Sequence, residues 1–267
     1  MANKLSLVAI FAHPDDEAFG SGGTLTRYAG EGVEVHLIIA TRGEAGRVAN
    51  PNINPVQPFG LQRELELRRA CEVYGATLHL LGYIDGQTPM VPPAEAVFKI
   101  VKILREVKPQ VVIGFGPDGI YGHYDHLVTH RWAAGAVSLA AEVERWPAAG
   151  PPHQVAKFYY RALPQAQVDN MVERVGYNAV DMGGVPFPFV GYRPEQITTV
   201  IDVQAYAHQK LQAIRCHASQ ISLETPLMQS DFDPLAHDWF YQETFILAHA
   251  PNLSLKGVEN DLFAGVR

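Results

Sequence analysis

Two clusters of polar side chains stand where apolar runs of the chain stop, and both contain residue types that bind cations. The first is His13-Pro-Asp-Asp-Glu17, directly after residues 5–12, which are nearly all apolar and read as a buried strand. Pro14 blocks both further strand pairing and an immediate helix, so His13, Asp15, Asp16 and Glu17 belong to a short loop at the carboxyl end of that strand. Open α/β sheets collect their ligands there. His13 and Asp16, an imidazole and a carboxylate three residues apart, can converge on one cation, leaving Asp15 beside them as a candidate base. The second cluster is Gly-His123-Tyr-Asp125-His126, a few residues after the apolar run Val111–Phe115. His123 and His126 are one turn apart at the start of a helix spanning residues 127–143, so they can face one point.

A lone loop histidine is usually just solvated. The conjunction of two clusters, each following a buried strand, argues for a metal site whose halves meet if the two strands are parallel in one sheet. Two histidines and one carboxylate leave a coordination position open for water, which marks a catalytic rather than a structural site. A cation there lowers the pKa of its water to about 7. Zinc suits this donor set, and so does Fe(II). An Fe(II) oxygenase and a metal-binding module without catalysis are the alternatives, but neither needs a base such as Asp15.

The elements that must position these clusters follow a βα rhythm. A helix beginning at Gly20-Ser-Gly-Gly23 is expected to run through Tyr28 and to end at Gly30 and Gly32, and residues 33–41 read as a second strand, giving a βαβ unit with a parallel sheet. The glycines do not complete a dinucleotide-binding pattern, because its sixth position is Leu25 and the acidic loop comes first. A polar, glycine-rich stretch, Thr41-Arg-Gly-Glu-Ala-Gly46, ends the second strand, and residues 48–60 form a long Pro/Asn-rich loop of the kind that covers sites. A helix over 61–74, a short strand over 78–81, a helix over Pro93–Val107 and the strand Val111–Phe115 follow. The fold class is therefore α/β, a Rossmann-like, mostly parallel sheet with helices on both faces. A Pro/Ala/Gly linker over 147–152 divides a metal-binding core, 1–146, from a smaller C-terminal part, 153–267, of the same single domain. In that part 155–161 and 198–203 read as strands and 205–218 as a helix, while 181–194 shows no clear period.

Composition narrows the partners. The 267 residues are 47% hydrophobic and 18% charged, ordinary values for a chain that folds alone. A formal net charge of -7 with no Lys/Arg cluster argues against a nucleic-acid partner. Cys71 and Cys216 lie in separate helices at no metal-type spacing, so both read as structural. No apolar stretch approaches the roughly 20 residues of a membrane span, and Met-Ala-Asn-Lys leads straight into the first strand, which places the protein in the cytoplasm.

Taken together, Ala-His13-Pro-Asp-Asp-Glu17 and Gly-His123-Tyr-Asp125-His126 resemble the zinc-dependent de-N-acetylases, the LmbE-like or PIG-L-like family of N-acetylglucosaminyl deacetylases. The likeness continues through Gly43-Glu44, the helix start at Arg63-Glu64, and Lys210 with His217-Ala-Ser-Gln220, and departs from the family pattern at Tyr124, where Pro is commoner. It implies that His13, Asp16 and His126 are the metal ligands, that Asp15 is the general base, and that His123 is an acid or oxyanion stabiliser oriented by Asp125. With its ring bonded to Asp125, His123 is expected to be held protonated. Arg63 and Glu44 are the candidate substrate-binding residues, and Glu17 reads as structural because a helix N-terminus favours an acid without catalysis. The implied reaction is hydrolysis of an N-acetyl group from a small amino sugar or glycoconjugate, and the resemblance is compatible with a homo-oligomer.

Overall fold

The computed structural model describes residues 4–253 and 257–267. Among the described residues nine strands form: β1 (Ser6–Phe11), β2 (Glu34–Thr41), β3 (Ala76–Tyr83), β4 (Val111–Phe115), β5 (Lys157–Ala162), β6 (Ala179–Asp181), β7 (Pro186–Pro188), β8 (Thr199–Asp202) and β9 (Gln242–His249). The helices are α1 (Asp16–Gly30), α2 (Phe59–Tyr74), α3 (Pro93–Val107), α4 (Gly119–Gly122, an irregular turn), α5 (Tyr124–Ala140), α6 (Gln165–Asp169), α7 (Met171–Val175), α8 (Ala207–Cys216) and α9 (Asp238–Tyr241). Seven strands share one sheet in the order β3-β2-β1-β4-β5-β9-β8. The first five are parallel, and β9 enters antiparallel between β5 and β8.

β1 and β4 are fully buried and, apart from Ser6, carry no polar side chain on either face, as suits strands of a covered parallel sheet. One face packs Leu7, Ala9 and Phe11 against Leu25 and Tyr28 of α1, Leu67 of α2 and Leu211 of α8. The other packs Val8, Ile10 and Ile38 against Ile100 and Leu104 of α3 and Trp132 of α5. The strand order reverses direction between β1 and β4, and the crevice outside their carboxyl ends is where such sheets bind ligands. Both polar clusters lie there.

Three elements differ from the expectation. Helix α1 starts at Asp16 and runs through Gly20, Gly22 and Gly23, because these positions must lie against neighbouring side chains. A methyl group on Gly20 would fall 1.3 Å from Arg161 Nε, and one on Gly23 would fall 2.3 Å from Val203 Cγ2. Strand β9, which no sequence pattern marked, supplies Glu243, whose carboxylate accepts the N–H groups of Gly23 and Thr24 at 3.0 and 2.7 Å. The aperiodic stretch 181–194 contributes to a small hairpin, β6–β7, anchored by Val190 N–H donating to Ile120 O at 2.7 Å.

Glu243 also pairs with Lys210 at 2.9 Å, and both residues are buried. Burial pulls the Lys210 ammonium below its ordinary pKa although Glu243 pushes it back up. Breaking such a pair leaves an uncompensated charge in the core. Replacing Glu243 with Gln should cost about 3 kcal/mol or more and lower the melting temperature by roughly 6 to 12 °C, as read by calorimetry. A change within one degree would mean that the pair contributes nothing.

Candidate functional site

Two imidazole nitrogens and one carboxylate converge at the switch point. His13 Nδ1 is 3.2 Å from His126 Nε2, and of the Asp16 oxygens Oδ2 is 3.4 Å from the first and Oδ1 3.2 Å from the second. Ligand atoms about 2.1 Å from one tetrahedral cation stand about 3.4 Å apart, so the spacing fits a shared ion. The outward bonds of the two rings fix their tautomers. His126 Nδ1 donates to Gly119 O at 3.0 Å, which leaves Nε2 as a bare lone pair. Phe115 stacks on the same ring with centroids 4.1 Å apart. His13 Nε2 faces the carboxylates of Asp125 at 3.1 Å and Asp85 at 3.0 Å, which makes it a donor and leaves Nδ1 as the second lone pair. Two lone pairs and a carboxylate thus point at one place, an arrangement that favours a cation, with bonds behind the rings of the kind that orient metal-ligating histidines.

The electrostatics agree. Burial opposes charge on His13, yet its hydrogen bonds to Asp125, Asp16 and Asp85 hold it well above the usual imidazole range, the mark of a centre that favours positive charge. Burial works against the Asp16 carboxylate too, but His126 and His13 keep it well below its ordinary value.

Asp15 is the most exposed of these acids, its side chain 21% accessible against 11% for Asp16 and 0% for Asp125. Its φ of 106° is a rare conformation for a residue with a side chain. Glu17 holds that backbone in place by accepting the Asp15 N–H at 3.0 Å, and is itself held by His217 Nε2 at 2.7 Å. Burial raises the Asp15 carboxyl to about 6 against the lowering effect of Arg63.

The structure departs from the expected roles at three residues. The carboxylate of Asp125 does not reach the His123 ring; it accepts from Gly86 N–H and the Thr88 hydroxyl, each at 2.7 Å, and faces His13. Only the Asp125 backbone N–H meets His123, donating to Nδ1 at 3.1 Å, so that nitrogen is an acceptor and the ring is neutral. Burial and the neighbouring His13 and His126 pull His123 down to about 4, which overturns the expectation that it stands protonated. Arg63, expected to bind substrate, is 4% exposed and spent inside the protein: it donates to Gly43 O and Asp15 Oδ2 at 3.1 and 3.0 Å and to Pro14 O. It ties the loops after β1 and β2 together. Glu44 lies at the rim, its carboxylate accepting the Asp85 N–H at 3.2 Å.

Asp85 was not singled out from the sequence, although its loop after β3 was the one signal available. Tyr121, edge-on to His126 with centroids 5.1 Å apart, stands just before the second cluster, and no spacing in the sequence marks it. His123 also lies within reach of His13 and His126 as a possible third imidazole, and Asp85, Asp125 and His13 form another donor group. His36 and His79 bond to one another at 3.0 Å on β2 and β3, apart from this cluster.

The fold and site define an α/β protein with a cation-receptive centre at the switch point of a parallel sheet. The chain belongs to the de-N-acetylase family: the sequence model described as PIG-L, GlcNAc-PI de-N-acetylase, matches residues 8–137. Consistent with this, it is 34% identical to the 1D-myo-inositol 2-acetamido-2-deoxy-alpha-D-glucopyranoside deacetylase of Streptomyces griseus subsp. griseus, covering 97% of this chain and 88% of the relative. The fold is shared with N,N'-diacetylchitobiose deacetylase from Pyrococcus horikoshii at a TM-score of 0.64 and 20% identity, over 92% of this chain and 84% of that one. It is shared equally with GalB, the 4-carboxy-2-hydroxymuconate hydratase of Pseudomonas putida KT2440, at a TM-score of 0.63 and 18% identity, over 95% of this chain and 99% of that one. The fold by itself therefore does not choose the reaction. Among the described residues no helix is long and apolar enough to cross a membrane.

Asp125 gives a direct test of the geometry. Asp125→Asn should weaken metal binding by about 10- to 100-fold, because it removes the acceptor that orients His13. If metal affinity, measured by competition with a chromophoric chelator, is unchanged, the contact to His13 does not support the centre.

Proposed function

We propose that this protein is a zinc-dependent deacetylase that hydrolyses the N-acetyl group of an amino sugar, with His13, Asp16 and His126 as metal ligands and Asp15 as base. The observation that carries the reading is the convergence of two tautomer-fixed imidazole lone pairs and one carboxylate beside a second, more accessible carboxylate. The named relative, a deacetylase of an acetamido sugar linked to inositol, supports the substrate class. When bound, the cation would polarise the acetyl carbonyl and make water acidic enough to attack near neutral pH.

The chain's own residues supply the proton handling. Asp15 takes one proton from the attacking water as its oxygen bonds to the acetyl carbon. Arg63 holds Asp15 in place from the side through its 3.0 Å bond. The neutral His123 carries its proton on Nε2, since Nδ1 is an acceptor, and donates a hydrogen bond to the oxygen that gains negative charge. As the C–N bond breaks, Asp15 returns its proton to the nitrogen. The amine and acetic acid leave, the latter ionising in water. Glu44 at the rim is a candidate contact for a sugar hydroxyl.

A binding module without catalysis is the weaker reading, because it gives no reason to hold Asp15 at φ 106° with Glu17 and Arg63. The zinc-loaded protein should release amine from N-acetylglucosaminyl inositol or another N-acetylated amino sugar, lose that activity to a chelator, and regain it with zinc. Asp15→Asn should keep its metal and lose about 10²- to 10⁴-fold in kcat. A variant with full turnover would remove Asp15 from the chemistry. His126→Ala should lose metal and activity together, and full metal occupancy in that variant, measured by elemental analysis, would refute its role as a ligand.

A further inference from the structure

Arg161 is level with Phe115 of β4 near the end of β5, at the same edge of the sheet as the site. Its side chain lies across α1 where that helix has no side chain of its own: the position of a Gly20 methyl would be 1.3 Å from Arg161 Nε and 2.2 Å from Cζ. Nε is buried and meets no acceptor, and among the described residues no carboxylate or carbonyl bonds to either Nη. The residue keeps partial exposure.

Acids surround this guanidinium without pairing to it. Asp16, Asp118 and Glu243 all act on its charge. Each is engaged elsewhere: Asp16 faces His13 and His126, Asp118 accepts from Ile120 N–H and the Tyr192 hydroxyl, and Glu243 holds Lys210 and the N–H groups of α1. The nearby cations differ at their terminal nitrogens, although Arg63 Nε is also buried without an acceptor. Arg63 is spent on Asp15 and two carbonyls, and Lys210 on Glu243 and Phe240 O. A half-buried cation without a partner is costly to keep unless a ligand completes it, and the planar fork of an arginine matches a carboxylate or a phosphate. An anion entering a site this rich in carboxylates would otherwise be repelled.

We propose that Arg161 is a specificity residue that receives an oxyanion, a carboxylate or phosphate group, carried by the amino-sugar substrate, and that Gly20 is the seat that lets the guanidinium lie there. This rests on the deacetylase reading above. Position 161 then separates charged from uncharged acetamido sugars.

The test compares kcat/KM of the zinc-loaded protein, of Arg161→Met and of Arg161→Lys on N-acetylglucosamine, its 1- and 6-phosphates, and N-acetylmuramic acid. The unaltered protein should favour at least one anionic sugar. Arg161→Met should lower the anionic-to-neutral ratio about 10- to 100-fold, chiefly through KM, and Arg161→Lys should restore part of it. If Arg161→Met does not fold, Gly20→Ala, which displaces the guanidinium, should lower the same ratio. No preference for any anionic sugar, or a ratio unmoved by the substitutions, overturns the proposal. Melting curves with inorganic phosphate give a second readout: phosphate should stabilise the unaltered protein and not Arg161→Met, and equal shifts in both would place the anion elsewhere and overturn it. Phosphate stabilisation that depends on Arg161, with an unmoved substrate ratio, would mean a site for free anions and also overturn the substrate-borne form. Should no acetamido sugar be turned over, the deacetylase reading fails on that result, and the phosphate shift still decides whether Arg161 binds anions.

Discussion

The hydrogen bonds behind the two imidazoles are the constraint on which the site depends. A histidine offers one lone pair when neutral, and which nitrogen offers it is settled by what the other nitrogen touches. Gly119 O settles it for His126, and the carboxylates of Asp125 and Asp85 settle it for His13. These partners come from the turn after β4, from the first turn of α5 and from the loop after β3, so the centre is assembled from three separate stretches of chain that only the finished sheet brings together. A cation is then the natural occupant, because it is the one species that satisfies all three inward donors at once.

A second layer supports the loops. Asp15 sits in an unfavourable backbone conformation, and Ile120 does the same with φ 72°, a strained choice for a β-branched residue. Each is held from outside: Asp15 by Glu17 and, through it, by His217; Ile120 by the Asp118 carboxylate on its N–H and by Val190 on its carbonyl. The segment His217-Ala-Ser-Gln220 continues this work on α2, where Ser219 bonds Glu66 through both its backbone and its hydroxyl, at 3.0 and 2.7 Å. Two of the positive-φ residues other than glycine, Asp15 and Ile120, therefore lie on the loops that carry the polar clusters, and residues far along the chain hold them there.

Much of this was legible in the sequence because it is local. The apolar runs of β1, β2 and β4, the helices α2, α3 and α5, and the two polar clusters each show in a window of a dozen residues. What stayed hidden depends on partners distant in sequence. Gly20, Gly22 and Gly23 read as the opening of a helix, but they lie inside α1, where Arg161 takes the space beside Gly20 and Val203 that beside Gly23. Strand β9 carries no clean alternation, since it is half covered and its Glu243 is turned to a buried lysine. Asp125 was tied to its sequence neighbour His123 when its carboxylate in fact reaches back 112 residues to His13. Arg63, a candidate for binding substrate at a helix start, is buried and bonded to two loops, which only the folded chain shows.

The insertion of β9 between β5 and β8 has a consequence for how the chain is made. The five parallel strands are laid down in order as synthesis proceeds, but the outer edge of β5 has no neighbour until residues 242–249 arrive. For that interval the nascent protein shows a row of unpaired backbone groups on a strand containing Phe158 and Tyr159, the kind of surface that other chains pair with. The last strand to join thus acts as a seal on the nascent sheet. Truncations before it would leave an unpaired edge on β5 and remove the Glu243 bonds to the N–H groups of α1.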